Sequence, residues 1–311
     1  MDPFYALMIF MSSLWALLIF ADRLVAASVR AAKSLCISKT VIGLTILAYG
    51  SSLPELTVSV LAAEEASTAL SVGNIVGSNI FNVLGILGII AVLGHLDVNI
   101  KDHAITRDTR LMVGVGALFA SLLYLNGGLG TLTGAILSSM LVVYTIYVVR
   151  EGSKKCERME KDYTISLPKE LGIMLVCLVG LILSGHFTVL TAVNMAELLG
   201  VSEWVIGATI VAAGTSIPEL MISLVAARRK EYGIALGNIV GSNIFNILWV
   251  MGLASWISPL SIPFNAIRID LAFLGLSSLV LLFYISRERF TRLDGIAMLA
   301  LYAIYIRYLL A

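Results

Sequence analysis

The decapeptide GNIVGSNIFN stands at Gly73–Asn82 and again, letter for letter, at Gly237–Asn246. The two copies are 164 residues apart (237 minus 73), and their surroundings match at the same offset. Val41–Ile42–Gly43 corresponds to Val205–Ile206–Gly207, and GSSLPEL at Gly50–Leu56 corresponds to GTSIPEL at Gly214–Leu220. No gap is needed between Val41 and Leu84. The chain is therefore an internal duplication, and whatever fold it adopts must place one chemical pattern twice.

Composition names the solvent. Of 311 residues, 59% are hydrophobic and 13% charged, with mean hydropathy +0.96. Soluble domains carry roughly 25% charged residues, so this chain is read as an all-α membrane protein. Runs of about 17–25 apolar residues mark spans. Ten are expected, at 4–21, 40–63, 69–94, 111–126, 130–149, 171–190, 204–227, 232–257, 269–286 and 293–310. Met1–Asp2–Pro3 puts no basic stretch ahead of the first run, so that run is read as a retained helix.

Lys and Arg alternate between loops. Nineteen of the 21 basic residues fall on one side; only Arg268 and Arg307 fall on the other. By the positive-inside rule the basic loops are cytoplasmic, which puts both termini outside the cell membrane. Residues 1–149 then form a first five-helix repeat with its motifs at 40–84. Residues 150–170 form a cytoplasmic linker, and 171–311 form the second repeat with its motifs at 204–248. Five is odd, so the second repeat enters the bilayer upside down. Glu64 and Glu65 correspond to Arg228 and Arg229, an acidic pair outside against a basic pair inside, as inversion requires. Inverted repeats sharing a midplane site are a recurrent transporter design.

Within the spans only Glu55 and Glu219 are acidic near mid-depth, and no Lys or Arg lies at that depth. A charge there costs at least ~2.5 kcal/mol on insertion scales, so the missing countercharge is read as a bound cation. Ser51 and Ser52 precede Glu55 by four and three residues, as Thr215 and Ser216 precede Glu219, which puts their hydroxyls on the glutamate's face if the segment is helical. Pro54 and Pro218 remove an N–H and free carbonyls near Ala48–Ser51 and Ala212–Thr215. A helix kink with back-bonded hydroxyls is the bland alternative. In the decapeptides, Ser78 and Asn82 share a face, as do Ser242 and Asn246. The two terminal asparagines are read as ion ligands or as interhelical glue. Asn79 and Asn243 lie on a similar side with either role open, and Asn74 and Asn238 are read as bonding between helices. Gly73, Gly77, Gly237 and Gly241 make GxxxG packing surfaces. Oxygen ligands alone suit hard ions such as Ca²⁺ or Na⁺.

Cys36, Cys156 and Cys177 have no metal-ligand or CxxC spacing and are read as plain thiols; His95, His103 and His186 form no cluster with them. No cofactor is expected. A net charge of +1 gives no argument for a nucleic-acid partner, and no obligatory protein partner is evident beyond the lipid bilayer.

The paired G-S/T-S-L/I-P-E and GNIVGSNIFN segments resemble the calcium/cation antiporter superfamily, and within it the prokaryotic sodium/calcium exchangers. The resemblance implies four ion sites in a central diamond. Glu55 and Glu219 would hold Ca²⁺ with Ser51 and Thr215. Ala48, Ser52, Ser78, Ala212, Ser216 and Ser242 would serve flanking Na⁺ sites, and Asn82 and Asn246 the middle site. It also implies that the first and sixth helices slide across the rest. One departure stands out: exchangers of this group often carry Asp where this chain has Asn246, which leaves two formal charges in the site instead of three. The function expected is Na⁺/Ca²⁺ antiport by alternating access, with Ca²⁺ extruded by the Na⁺ gradient. H⁺/Ca²⁺ exchange on the same scaffold is the alternative, and a cation channel is the rival from another class. An enzyme is not expected, because no buried His accompanies the hydroxyls.

Overall fold

A computed structural model describes residues 3–94, 103–154, 164–198, 212–287 and 289–310. Helices account for nearly all of it: α1 (Pro3–Leu35), α2 (Lys39–Ser51), α3 (Leu53–Glu64), α4 (Thr68–Val92), α5 (His103–Asn126), α6 (Thr131–Lys154), α7 (Leu167–Leu198), the short α8 (Ala212–Gly214), α9 (Ile217–Arg228), α10 (Tyr232–Ile257), α11 (Phe264–Ser286) and α12 (Arg292–Leu309). One antiparallel ribbon, β1 (Gly128–Leu129) with β2 (Leu260–Ser261), ties the α5–α6 and α10–α11 connections together.

Among the described residues seven helices are long and apolar enough to cross a membrane, and α2 with α3 adds an eighth span if that pair, bent by 45°, is counted as one. The ten spans expected differ from this for two reasons. Residues 204–211 of the seventh lie outside the described residues. The tenth, α12, carries Arg292, Asp294 and Arg307 in 18 residues, more charge than length and composition alone allow a span. Several helices also outrun their apolar cores. α1 runs to Leu35 where 4–21 was expected, α5 starts at His103, and α7 covers Leu167–Leu198. The linker is shortened at both ends: residues 150–154 continue α6 and 167–170 open α7. Hydropathy cannot see such ends, because a helix continues into the polar interface once its hydrogen bonds are running.

Burial is radial. α4 and α10, the helices that carry the decapeptides, are buried over 83% and 94% of their most apolar windows, whereas α1, α5, α6 and α11 bury a third or less of theirs. The outer faces are studded with residues such as Trp15, Leu125, Leu132, Val176 and Phe283. An apolar exterior around an interior that holds the polar side chains is the arrangement a bilayer demands. The protein is a multi-pass integral membrane protein.

Glycine permits the close approaches at the centre. A Cβ on Gly237 would meet the Thr40 carbonyl at 2.8 Å, and one on Gly241 would meet the Leu44 carbonyl at 2.6 Å, so α10 lies backbone to backbone on α2. The packing read from GxxxG is thus seen in the second copy. The duplication also reaches further than its motifs. Gly88 of α4 faces Gly295 of α12, and Gly252 of α10 faces Gly134 of α6, with Gly88 and Gly252 again 164 apart.

Charged side chains on α1, α2, α7 and the α9–α10 turn pair with one another. Asp22 of α1 pairs with Arg229 at 2.6 Å, Arg30 with Glu170 at 2.8 Å, and Lys39 with Glu231 at 2.6 Å. One reading is corrected here: Cys36 is disulfide-bonded, while Cys177 is free and buried. Spacing along the chain carries no information about which thiols the fold brings together.

Candidate functional site

The α2–α3 helix breaks at Ser52 (φ −86°, ψ 12°), and the α8–α9 segment breaks at Ser216 (φ −90°, ψ 12°). Pro54 and Pro218 sit in the first turns beyond these breaks, where a missing N–H costs nothing. Glu55 and Glu219 follow in the same first turns. Helix N-termini favour negative charge, so each break sets a carboxylate where a half-helix dipole supports it. Both glutamates are wholly buried.

Their serines cross over. Ser52 donates through Oγ to Glu219 Oε1 at 2.8 Å, and Ser216 donates to Glu55 Oε1 at 2.8 Å. The i, i+3 spacing had put each serine beside the glutamate of its own copy. The break at Ser52 and Ser216 removes the helical geometry that argument needs, and the hydroxyl turns to the other copy. The remaining contacts are longer. Ser51 Oγ lies 3.4 Å from Asn238 Oδ1 and from the Ala48 carbonyl. Ser78 and Thr215 approach to 3.5 Å. Ser242 Oγ lies 3.4 Å from the Ala48 carbonyl and 3.5 Å from Glu219 Oε1. The Ala48 carbonyl also accepts from Ser52 N at 3.2 Å, so the break does not free it from the helical ladder. Ala212 opens α8.

Asn82 of α4 and Asn246 of α10 fall in π-helical stretches, Phe81–Leu87 and Asn246–Val250. Such widened turns add a residue to the ladder and re-aim the side chains around them. Asn82 Nδ2 donates to Asn243 Oδ1 at 3.0 Å, and Asn246 Nδ2 donates to Asn79 Oδ1 at 2.9 Å. Asn79 and Asn243 in turn donate to each other's backbone carbonyls, at 3.2 and 3.1 Å. Asn74 bonds Ser59 Oγ at 2.9 Å and Asn238 bonds Ser223 Oγ at 3.1 Å, the interhelical role read for them. Every one of these bonds maps onto its counterpart by adding or subtracting 164.

Four buried oxygens in this network have no hydrogen-bond partner: Glu55 Oε2, Glu219 Oε2, Asn82 Oδ1 and Asn246 Oδ1. All are acceptors, two from carboxylates and two from amides, contributed equally by the two copies. Leaving such atoms unpaired in a dry interior is costly, and more so for a carboxylate. No ion pair among the described residues involves either glutamate. The four are oxygen acceptors left without a protein donor, and oxygen acceptors are the ligand type that hard cations take. Beside them a cavity of about 410 Å³ opens between α3, α7 and α9, lined by Pro54, Thr57, His186, Thr215 and Pro218. The crossed serines and the Asn79–Asn243 exchange were missed in the sequence. The constant offset was the available signal, since residues related by a twofold can exchange bonds.

Comparison with known proteins gives the chain its family. The family model described as sodium/calcium exchanger protein matches residues 5–150 and 169–311. An uncharacterized membrane protein of Methanocaldococcus jannaschii is 33% identical over 286 residues, covering 92% of each chain. The sodium/calcium exchanger MaX1 of Methanosarcina acetivorans is 28% identical over 335 residues, covering 92% of this chain and 93% of its own. A solved structure of the sodium-calcium exchanger NCX_Mj superposes with a TM-score of 0.87 at 31% identity, covering 98% of this chain and 99% of that one. With matches running through both halves, the chain belongs to the sodium/calcium exchanger family of the calcium/cation antiporters.

Proposed function

We propose that this protein exchanges Na⁺ for Ca²⁺ across the cell membrane by alternating access, extruding Ca²⁺ at the expense of the inward Na⁺ gradient. The observation that carries the reading is the set of four unpartnered oxygens on Glu55, Glu219, Asn82 and Asn246. Two carboxylates neutralise one Ca²⁺, and the neutral amides add oxygens without adding charge. Ca²⁺ takes roughly 6–8 oxygens in flexible geometry, and Ser51, Ser52, Thr215, Ser216, Ser78 and Ser242 supply hydroxyls around the same cavity, with backbone carbonyls at Ala48 and Ala212. Na⁺ uses the same oxygens at lower charge, so the two ions compete, and competition for one site is what couples an antiporter.

In this reading residues 1–149 and 171–311 are two five-helix repeats of opposite orientation, ten spans in all. The linker over 150–170 is cytoplasmic and both termini are extracytoplasmic. The cavity beside Thr215 and Pro218 is the approach to the site from one face. α1 and α7 pack chiefly on each other, which suits a pair that slides as a unit to change which face is open.

The test is Ca²⁺ uptake into proteoliposomes loaded with Na⁺. Uptake is expected on dilution into Na⁺-free medium, with none when a pH gradient is imposed without Na⁺. Uptake driven by the pH gradient alone overturns the sodium assignment.

A further inference from the structure

Asn79 and Asn243 are not among the four oxygens, yet each spends both ends of its amide on the other copy of the repeat. We infer that these two are positioning residues, which turn the amides of Asn246 and Asn82 so that both oxygens face the ion; the inference rests on the ion-site reading above.

The direction of every bond is fixed from two backbone carbonyls, because a carbonyl can only accept. The Asn243 carbonyl takes a proton of Asn79 Nδ2, and the Asn79 carbonyl takes one of Asn243 Nδ2. Neither side-chain amide can flip, since a flip sets oxygen against oxygen in a buried place. Asn79 Oδ1 is therefore aimed at Asn246 and requires a donor there, which Asn246 Nδ2 supplies at 2.9 Å. With its nitrogen committed, Asn246 leaves its oxygen free of protein partners. The mirror sequence runs from the Asn79 carbonyl through Asn243 to Asn82, ending in the other free oxygen. Each relay starts in one copy of the repeat, passes through the other, and ends in the copy where it began. The site thus receives two amide oxygens whose direction is set before any ion arrives, so little ordering is left to be done on binding.

The relay also sets a rule for residues 82 and 246: whatever stands there must donate a hydrogen bond to its orienting amide while offering an acceptor to the ion. Asn does both without a proton to gain or lose. This gives Asn246 a physical reason in this chain, independent of the Asp that the resemblance leads one to expect.

Double-mutant cycles on the apparent KM for Ca²⁺ test the relay, with uptake measured in Na⁺-loaded proteoliposomes and normalised to folded protein. Asn79→Ala is expected to raise KM about tenfold, the effect of one unmade buried hydrogen bond. Maximal rate per folded molecule should stay near wild type, which a general loss of structure would not allow. In an Asn246→Ala background the same change should alter KM by less than about twofold, because its effect acts through Asn246. In an Asn82→Ala background the full factor should persist. The mirror cycles pair Asn243 with Asn82 and leave Asn243 with Asn246 additive. If Asn79→Ala does not fold, Asn79→Ser enters the same cycle. An unchanged KM, or coupling of Asn79 to Asn82 instead of Asn246, overturns the relay. Glu55→Gln runs alongside: retained uptake in that variant sinks the ion-site reading itself, whereas a dead Glu55→Gln with wholly additive cycles sinks the relay alone.

Discussion

The turn that joins α3 to α4 and the turn that joins α9 to α10 have the same backbone and opposite charge. Ala66 and Lys230, 164 apart, are both in the left-handed region, at φ 57° and 60°. The closing bonds repeat too: Ser67 N to the Ala62 carbonyl at 2.7 Å, and Glu231 N to the Ala226 carbonyl at 2.8 Å. Yet the first turn reads Glu64–Glu65–Ala66 and the second Arg228–Arg229–Lys230. Inside the protein the two copies agree in every polar residue of the site except Ser51 against Thr215. The difference separates two kinds of constraint. Interior residues bond to each other and are held alike; the turns keep their backbone and are free to reverse their charge.

If the interior copies are equivalent, damage to either should cost the same. Glu55→Gln and Glu219→Gln should each reduce Na⁺-driven Ca²⁺ uptake to background, the largest effect expected, and survival of one but not the other would break the equivalence. Next come the crossed serines. Ser52→Ala and Ser216→Ala should each raise the Ca²⁺ KM about tenfold, since a hydrogen bond to a carboxylate is worth roughly 1.5–3 kcal/mol. Unequal losses in that pair would show that the two carboxylates do different work. Gly241→Ala should lower stability by about 1–3 kcal/mol through overpacking against Leu44 and Ala48, read as a drop in unfolding temperature in detergent. Gly77→Ala, its counterpart, places a Cβ that meets nothing within 4 Å among the described residues, so it should be the milder change of the two. The smallest effect belongs to the turns. Arg229→Gln removes a half-exposed pair with Asp22 and should change stability by no more than about 1 kcal/mol, with transport kept.

Much of this was legible before any coordinates. The duplication, the helical class, the two buried glutamates and the correspondence of Asn82 to Asn246 follow from a fixed offset and from what a carboxylate costs in an apolar span. What could not be read was direction. Ser52 and Ser216 were assigned to their own glutamates by helical spacing, and the helix stops at those residues. Asn79 and Asn243 had no assignable role, because their partners lie 164 residues away, give or take three, where a local pattern has no reach. Helix ends drifted for a related reason: hydropathy marks the part of a helix that lipid tails require, and α1, α5 and α7 continue beyond it. The disulfide at Cys36 depends on proximity in space, which three scattered cysteines do not disclose.

The crossing of bonds between the copies has a consequence for how such a chain can change. Each half supplies the hydroxyl bonded to the other's carboxylate and the amide bonded to the other's terminal asparagine, so neither half holds the full set of bonds by itself. In that respect the protein resembles a dimer whose subunits happen to share a chain, with the proposed ion site in the seam. A substitution in one decapeptide is felt first by the opposite copy, and the natural remedy is the same substitution there. Two segments under that discipline cannot drift apart one letter at a time, which is reason enough for ten letters to be spelled identically twice.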